Sequence, residues 1–168
     1  VDPAKTIVWG GINWGGGRDA SFNPHATRVG FDLASATTLN LQRLGTPTQL
    51  TVVEWQAIEF ISGVSVQRGA ASFATTAATV NVPISAVNLA ESFVLVSVAT
   101  GAGAFTADEE WTVRAQLTST TNLELSRSQT GTTITVYWQV ISITGASVQR
   151  GLATIAPGAA SATATITS

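Results

Sequence analysis

The sequence has no cysteine, no methionine and a single histidine among its 168 residues. The absence of cysteine excludes disulfide bonds, zinc sites with thiolate ligands and cysteine nucleophiles, and it leaves the redox compartment open. Charged residues are scarce at 11%, and the formal net charge of -2 offers no basic surface for nucleic acid. Because no apolar run reaches the roughly 18–20 residues of a membrane-spanning helix, no membrane insertion is expected.

Residues typical of helix surfaces are also sparse, whereas Thr, Val, Ser, Ala and Gly dominate the chain. We find no apolar stripe with helical spacing. Apolar and polar residues alternate instead, for example over residues 27–35, 50–60 and 64–69, and turn signals such as residues 62–63 separate these runs. The pattern predicts an all-β chain of the sandwich or barrel class.

An internal repeat is the strongest feature of the sequence. Residues 53–58 recur as residues 136–141 and share a Trp-Gln pair, and residues 64–71 recur as residues 146–153 and share Gln-Arg-Gly. The separation between matching residues falls from 86 at the start of the copies to 82 near their end. Small deletions in turns explain such a drift, because loops tolerate them. The order and spacing of these matches indicate a tandem duplication.

The duplication predicts two tandem β-sandwich repeats, jelly-roll-like or immunoglobulin-like, over residues 1–86 and 87–168. Each repeat is expected to hold about six strands, the last two in the second repeat covering residues 146–155 and 161–167. The second copy stops at the phase of the repeat at which the first begins. Two interpretations stay open: an excerpt from a longer array, or a chain whose ends meet those of neighbours, so that Val1 is either a cut or a processed terminus.

Residues retained in both copies are interpreted as a structural signature. The paired tryptophans are expected to fill the core, with sugar stacking as the alternative. Arg68 lies where a strand bends or bulges and is expected to reach Glu54 or Glu59, while Arg43 and Arg127 are expected to cover a sheet edge. The signature comprises Arg43, Trp55, Gln56, Gln67, Arg68, Gly69, Arg127, Trp138, Gln139, Gln149, Arg150 and Gly151.

Residues 9–19 differ most from the matching segment of the second copy. Where two copies share a scaffold, the segment that differs is the better candidate for a specific contact. The alternative is a glycine-rich loop whose tryptophans pack onto the sandwich. The candidates for contact with a glycan or a neighbouring subunit are Trp9, Asn13, Trp14, Arg18, Asp19 and His25.

Catalysis finds little support in the residue pattern. A lone histidine leaves only a Ser-His-Asp arrangement, and no nucleophile-elbow motif is present. Asp108, Glu109 and Glu110 are interpreted as a solvated linker or turn rather than a glycosidase pair. These acids and Asp2 lack the spacing of a calcium site. We therefore predict no enzyme activity, no cofactor and no metal site.

The repeated segments resemble tandem β repeats of phage virion and tail-fibre-like proteins and of some microbial surface proteins. The resemblance is carried by Val53–Phe60 with residues 64–69, by residues 33–43 and 92–98, and by residues 136–143 with 146–151. It implies a structural role on a virion or outside a cell, and it brings no catalytic residues. The segment around Trp14 departs from the pattern.

Three functions stay open from the sequence. The first is a virion subunit or fibre segment, and the second is a subunit of a cell-surface filament whose strands pair with the next subunit. The third is a carbohydrate-binding adhesion module, suggested by the five tryptophans and the glycine-rich segment. The expected partners are other copies of the chain, other virion or surface proteins and, for the third function, glycans.

Overall fold

The computed structural model describes residues 1–15, 28–43, 50–100 and 110–167. Two single-turn 3-10 helices, Pro3–Lys5 and Leu89–Glu91, precede matching strands of the two repeats. The side chain of Asp2 caps the first of them and that of Asn88 caps the second. The strands are β1 (Thr6–Gly15), β2 (Gly30–Ser35), β3 (Thr38–Gln42), β4 (Leu50–Glu59), β5 (Val64–Phe73), β6 (Thr79–Pro83), β7 (Ser92–Thr100), β8 (Arg114–Ser119), β9 (Asn122–Ser126) and β10 (Ile134–Ile143).

These strands form four antiparallel sheets within the described part of the chain. β1 pairs with β4, and β2 pairs with β3. The other two sheets have three strands each, in the orders β5-β10-β7 and β6-β9-β8. The predicted all-β class is confirmed, because strands and antiparallel sheets make up nearly all of the regular structure described.

The three-stranded sheets combine strands from both repeats of the sequence. β5 and β6 belong to residues 1–86, but β5 pairs with β10 and β6 pairs with β9. In the first of these pairings Gly69 lies opposite Trp138, and in the second Val82 lies opposite Leu123. The first repeat thus contributes two strands to the sheets of the second.

The same local sequence builds the same hairpin in both repeats. β2 and β3 are joined at residues 36–37, and β8 and β9 at residues 120–121. The Ser35 hydroxyl oxygen accepts a hydrogen bond from the Thr37 amide, and Ser119 accepts one from the Thr121 amide, both at 3.2 Å. Such local side-chain bonds favour turns over continued strand. These hairpins therefore follow from the sequence nearby.

The largest core lies between the two three-stranded sheets. β5 contributes the buried Phe73, and β6 contributes the partly buried Val80 and Val82. Burial of each large apolar side chain contributes about 1.5–3 kcal/mol to stability. The buried members of this core are Phe73, Trp111, Leu117, Leu123, Leu125, Ile134, Val136, Trp138 and Val140.

The core around β1 to β4 is smaller. Its buried members are Val8, Phe31 and Leu33, with Leu39 and Val53 packed against them. No strand among the described residues occupies, beside β4 and β3, the places that β5 and β6 take beside β10 and β9. The first repeat therefore has two-stranded sheets where the second has three-stranded ones.

Two of the twelve predicted strands are not formed. Residues 146–155 and 161–167 match β5 and β6 in sequence, but they carry no strand in the structure. The physical reason is that a strand is defined by hydrogen bonds to a neighbour. Residues 146–155 make no sheet pairing with any described strand, although their residue pattern favours the extended state.

Candidate functional site

The outer edges of β4 and β3 form an apolar surface without a strand partner among the described residues. We call it the acceptor edge. Trp55 on β4 is 55% exposed, whereas the matching Trp138 on β10 is 8% exposed. Ile58 is 43% exposed against 0% for the matching Ile141. Leu41 on β3 is likewise 41% exposed, while its counterpart on β9 is fully buried.

The expectation that both repeated tryptophans fill a core is wrong for Trp55. Trp138 packs over Gly69, so closely that a Cβ atom added at Gly69 would lie 2.6 Å from the Trp138 Cζ2 atom. Trp55 lies opposite Gly10 of β1, but no described strand pairs with the other edge of β4, where β10 has β5 and its Gly69. The two tryptophans therefore differ in burial because of the strand that packs beside Trp138, and not because of the sequence around each tryptophan.

Residues 146–167, which we call the donor segment, have the internal shape of β5 and β6. In the first repeat, the Gln67 side-chain amide bonds the backbone N–H and C=O of Ser85. The Gln149 amide bonds the backbone N–H and C=O of Thr167 in the same way. The turn between the two halves is also shared, since the Ala159 amide bonds Ala156 O as the Ala77 amide bonds Ala74 O, both at 3.0 Å.

The donor segment leaves the second repeat by a path that resembles the departure of β5 from the first. Arg68 of β5 donates to the carbonyl oxygens of Pro3 and Thr6 at the start of the first repeat. Arg150 donates to Ser92 O, the residue that matches Thr6, at 3.4 Å. The Val148 amide adds a bond to Ala90 O at 2.7 Å.

The sequence predicted that Arg68 reaches Glu54 or Glu59, and this prediction is wrong. Arg68 binds backbone carbonyls, because the chain crosses from the first repeat to the second at this point. Burial lowers the pKa of Arg68, and the nearby Asp32 carboxylate acts in the opposite direction.

Arg127 is a buried cross-link rather than a cover for a sheet edge. It is 5% exposed, and its guanidinium carbon lies 5.1 Å from the centre of the Phe73 ring. Burial lowers its pKa, and the Glu110 carboxylate opposes that shift. Arg43, its counterpart, donates to the Thr51 hydroxyl at 3.0 Å. The acceptors of Arg127 are the carbonyl oxygens of Ala74, Ala77, Glu110 and Thr132.

Gln139 holds the two repeats together. Its side chain accepts from the Val8 amide at 2.9 Å and donates to Val8 O at 2.6 Å. Gln139 is 7% exposed, so both bonds are shielded from water. The matching Gln56 is exposed.

Three of the six predicted contact residues, Trp9, Asn13 and Trp14, lie among the described residues, and all three are on β1. Trp9 is 38% exposed and lines a cleft of about 350 Å³ between β1, β2 and β7. Asn13 is exposed and does not line that cleft. The backbone of Trp14 pairs with Thr51. Arg18, Asp19 and His25 lie outside the described residues.

Several residues of the acceptor edge and donor segment were missed from the sequence. Val52 is 54% exposed, Ile155 is 58% exposed and Ile166 is 80% exposed. Pairing of the acceptor edge and the donor segment would remove such side chains from water. The repeat itself was a sequence signal for two of them, because Ile155 matches Phe73 and Ile166 matches Ile84. Phe73 lies in the largest core, and Ile84 packs against that core.

Within the described residue ranges, no group of three or more His, Cys, Asp or Glu side chains is arranged to hold a metal ion. Nor is any helix in those ranges long and apolar enough to cross a membrane.

Comparisons with protein-family models, with curated proteins and with solved structures found no match.

Proposed function

We propose that this chain is a non-enzymatic structural protein of a virion or an extracellular appendage. In this proposal it is built from two tandem β-sandwich repeats and assembles with neighbouring copies of itself. The proposed localisation rests on the resemblance of the repeated segments to phage virion and microbial surface proteins. The proposed assembly rests on the contacts described above.

The observation that carries the proposal is the sharing of strands between repeats. β5 and β6 come from the first repeat and complete sheets of the second, with Phe73 buried in its core. Separating the two repeats would break ten residue pairings between β5 and β10 as well as the pairings of β6. A joint of this kind is held by many backbone hydrogen bonds between antiparallel strands. Such a joint suits a load-bearing element, because these bonds would have to break together.

A second line of support is the apolar surface that the first repeat leaves open. Trp55, Ile58 and Val52 are all exposed on one strand. Exposed apolar residues along an unpaired sheet edge favour association, since pairing removes them from water and satisfies the edge amides. In this proposal the acceptor edge binds another copy of the chain.

Sedimentation velocity and negative-stain electron microscopy of the purified chain test the proposal. We expect concentration-dependent oligomers or filaments below about 0.1 mM, the range in which specific association becomes measurable. A chain that stays monomeric throughout that range would contradict the proposal. Immunogold labelling of native particles or cells then tests the location.

The second candidate function is glycan binding, which the cleft beside Trp9 favours. An exposed tryptophan face offers a stacking surface for a sugar ring. A glycan array comparing the wild-type chain with Trp9→Ala tests it, and Trp9→Phe serves as the matched variant that keeps an aromatic ring. Binding that is lost in Trp9→Ala and kept in Trp9→Phe supports this function, whereas an array without signal removes it.

A further inference from the structure

We infer that the donor segment of one molecule adds to the acceptor edge of the next molecule, with residues 146–155 pairing with β4 and residues 161–165 pairing with β3. This inference rests on the proposed function and specifies its joint. The occupant is a second copy of this chain, because only the repeat itself supplies a segment with the sequence and shape of β5 and β6. Each joint would repeat, between two molecules, the strand sharing seen within one.

The register of the joint follows from the pairing of β5 with β10. There Gly69 lies opposite Trp138, and Val66 lies opposite Ile141. The matching residues place Gly151 opposite Trp55 and Val148 opposite Ile58. In that register the Trp55 ring lies over a residue without a side chain, as the Trp138 ring does over Gly69.

The register of the second half follows from the pairing of β6 with β9. Val82 lies opposite Leu123, and Val80 lies opposite Leu125. The matching residues place Ala164 opposite Leu39 and Ala162 opposite Leu41. Both alanines are smaller than the valines they replace, and Ile166 takes the place of Ile84 beside the core.

The donor segment is already shaped for this addition. Its Gln149 amide holds Thr167, and its turn bond from Ala159 to Ala156 matches the turn between β5 and β6. Since the two halves are held in their bound arrangement before they meet the acceptor, less conformational entropy is lost on assembly. Most of the side chains along residues 151–167 are exposed in the isolated chain, so the donor segment is accessible to another molecule.

A glutamine clamp would secure each joint. Within the chain, Gln139 bonds the backbone of Val8 on β1 of the repeat that supplies β5. The matching pair between molecules is Gln56 of the acceptor and Val94 of the donor. The register of β7 with β10 matches that of β1 with β4, so Val94 is placed opposite Val140 as Val8 is placed opposite Ala57. The Val94 amide and carbonyl thus face outward from β7.

Disulfide trapping tests the register directly, because the chain has no cysteine of its own. The Ser72 and Thr135 hydroxyls are 3.3 Å apart across β5 and β10, and the matching pair is Thr154 and Val52. We expect V52C/T154C to form disulfide-linked oligomers under mild oxidation. The within-chain pair S72C/T135C is the positive control, and V52C/A156C, shifted by two residues on the same face, is the register control.

A matched pair of surface substitutions provides a second readout. Ile155 is 58% exposed and Leu152 is 72% exposed in the single copy, so neither substitution removes a buried side chain. In the joint, Ile155 takes the buried place of Phe73, whereas Leu152 takes the exposed place of Ala70. Ile155→Asn should raise the concentration for half-assembly roughly tenfold or more, and Leu152→Asn should change it less than about threefold.

The outcomes separate this inference from the proposed function. Assembly of the wild-type chain together with trapping by V52C/T154C, and not by V52C/A156C, supports the joint. Assembly that persists unchanged in Ile155→Asn, with no trapping by V52C/T154C, overturns the joint and leaves the structural function standing. A wild-type chain that neither assembles nor traps overturns both.

Discussion

Gly69 and Gly151 show how one residue type acquires two roles from its neighbours. A Cβ atom at Gly69 would meet the Trp138 ring, whereas a Cβ atom at Gly151 would meet nothing within 4 Å in the single copy. The glycine matters only where a tryptophan lies across the sheet from it. The proposed joint supplies Gly151 with such a tryptophan, Trp55, from the next copy.

Gly69→Ala is therefore expected to lower the free energy of unfolding by about 1–3 kcal/mol, the usual cost of overpacking. Gly151→Ala is the matched control and should leave the unfolding of the dilute monomer unchanged. Urea denaturation of both variants at low concentration checks this. Equal destabilisation by the two substitutions would contradict the packing of Trp138 over Gly69.

Tyr137 is the residue whose ionisation reports on contact between the repeats. Its ring packs on Gly30 of β2, so closely that a Cβ atom there would lie 2.2 Å from the ring. Burial raises the Tyr137 pKa, and the Asp32 carboxylate adds to the rise. The protonated ring is therefore favoured in the folded chain.

We expect the stability contributed by Tyr137 to be complete below pH about 10, the ordinary tyrosine pKa, and to be lost as pH rises through the higher folded value. The sign follows because the unfolded chain releases the proton first, so alkaline pH favours unfolding. The chain has one tyrosine, so near-ultraviolet absorbance of tyrosinate measures the titration directly. Tyr137→Phe should remove this alkaline loss of stability, and a midpoint at or below 10 would contradict the burial.

β5 and β6 belong to one repeat by sequence and to the other by packing. Phe73 ends β5, is 1% exposed and lies in the core between the three-stranded sheets. The Arg127 guanidinium lies over its ring. The stability of the second repeat thus depends on a residue encoded in the first.

Phe73→Ala is expected to destabilise the second repeat by about 3–5 kcal/mol, as large-to-small substitutions in cores do. Ile155→Ala, at the matching place of the exposed donor segment, should change the unfolding of the monomer by no more than about 0.5 kcal/mol. Trp111 and Trp138 lie in the same core, so the change in tryptophan fluorescence during denaturation includes that unfolding. Similar effects of the two substitutions would argue against strand sharing.

The acceptor edge and the donor segment are both apolar and nearly free of charge. Within the pairing segments the described charged side chains are few, with Glu54, Glu59 and Arg150 the main ones. The association is therefore expected to rest on backbone hydrogen bonds and apolar burial rather than on ion pairs.

Assembly should consequently change little when sodium chloride is raised, because screening weakens only interactions between charges. Sulfate should strengthen assembly, since it is excluded from protein surfaces and favours apolar burial. Sedimentation velocity across both salt series measures this. A steep loss of assembly with sodium chloride would point to an electrostatic joint instead.

The sequence by itself determined the all-β class, the duplication and the hairpins at Ser35 and Ser119, because alternation, repetition and turn chemistry are local properties. It also pointed to the paired tryptophans and glycines, though not to their different burial. Only the tertiary structure decided that β5 pairs with β10 rather than with β4. The two repeats are alike, so the sequence of β5 suits either partner, and the choice depends on contacts between the repeats such as that of Gln139 with Val8.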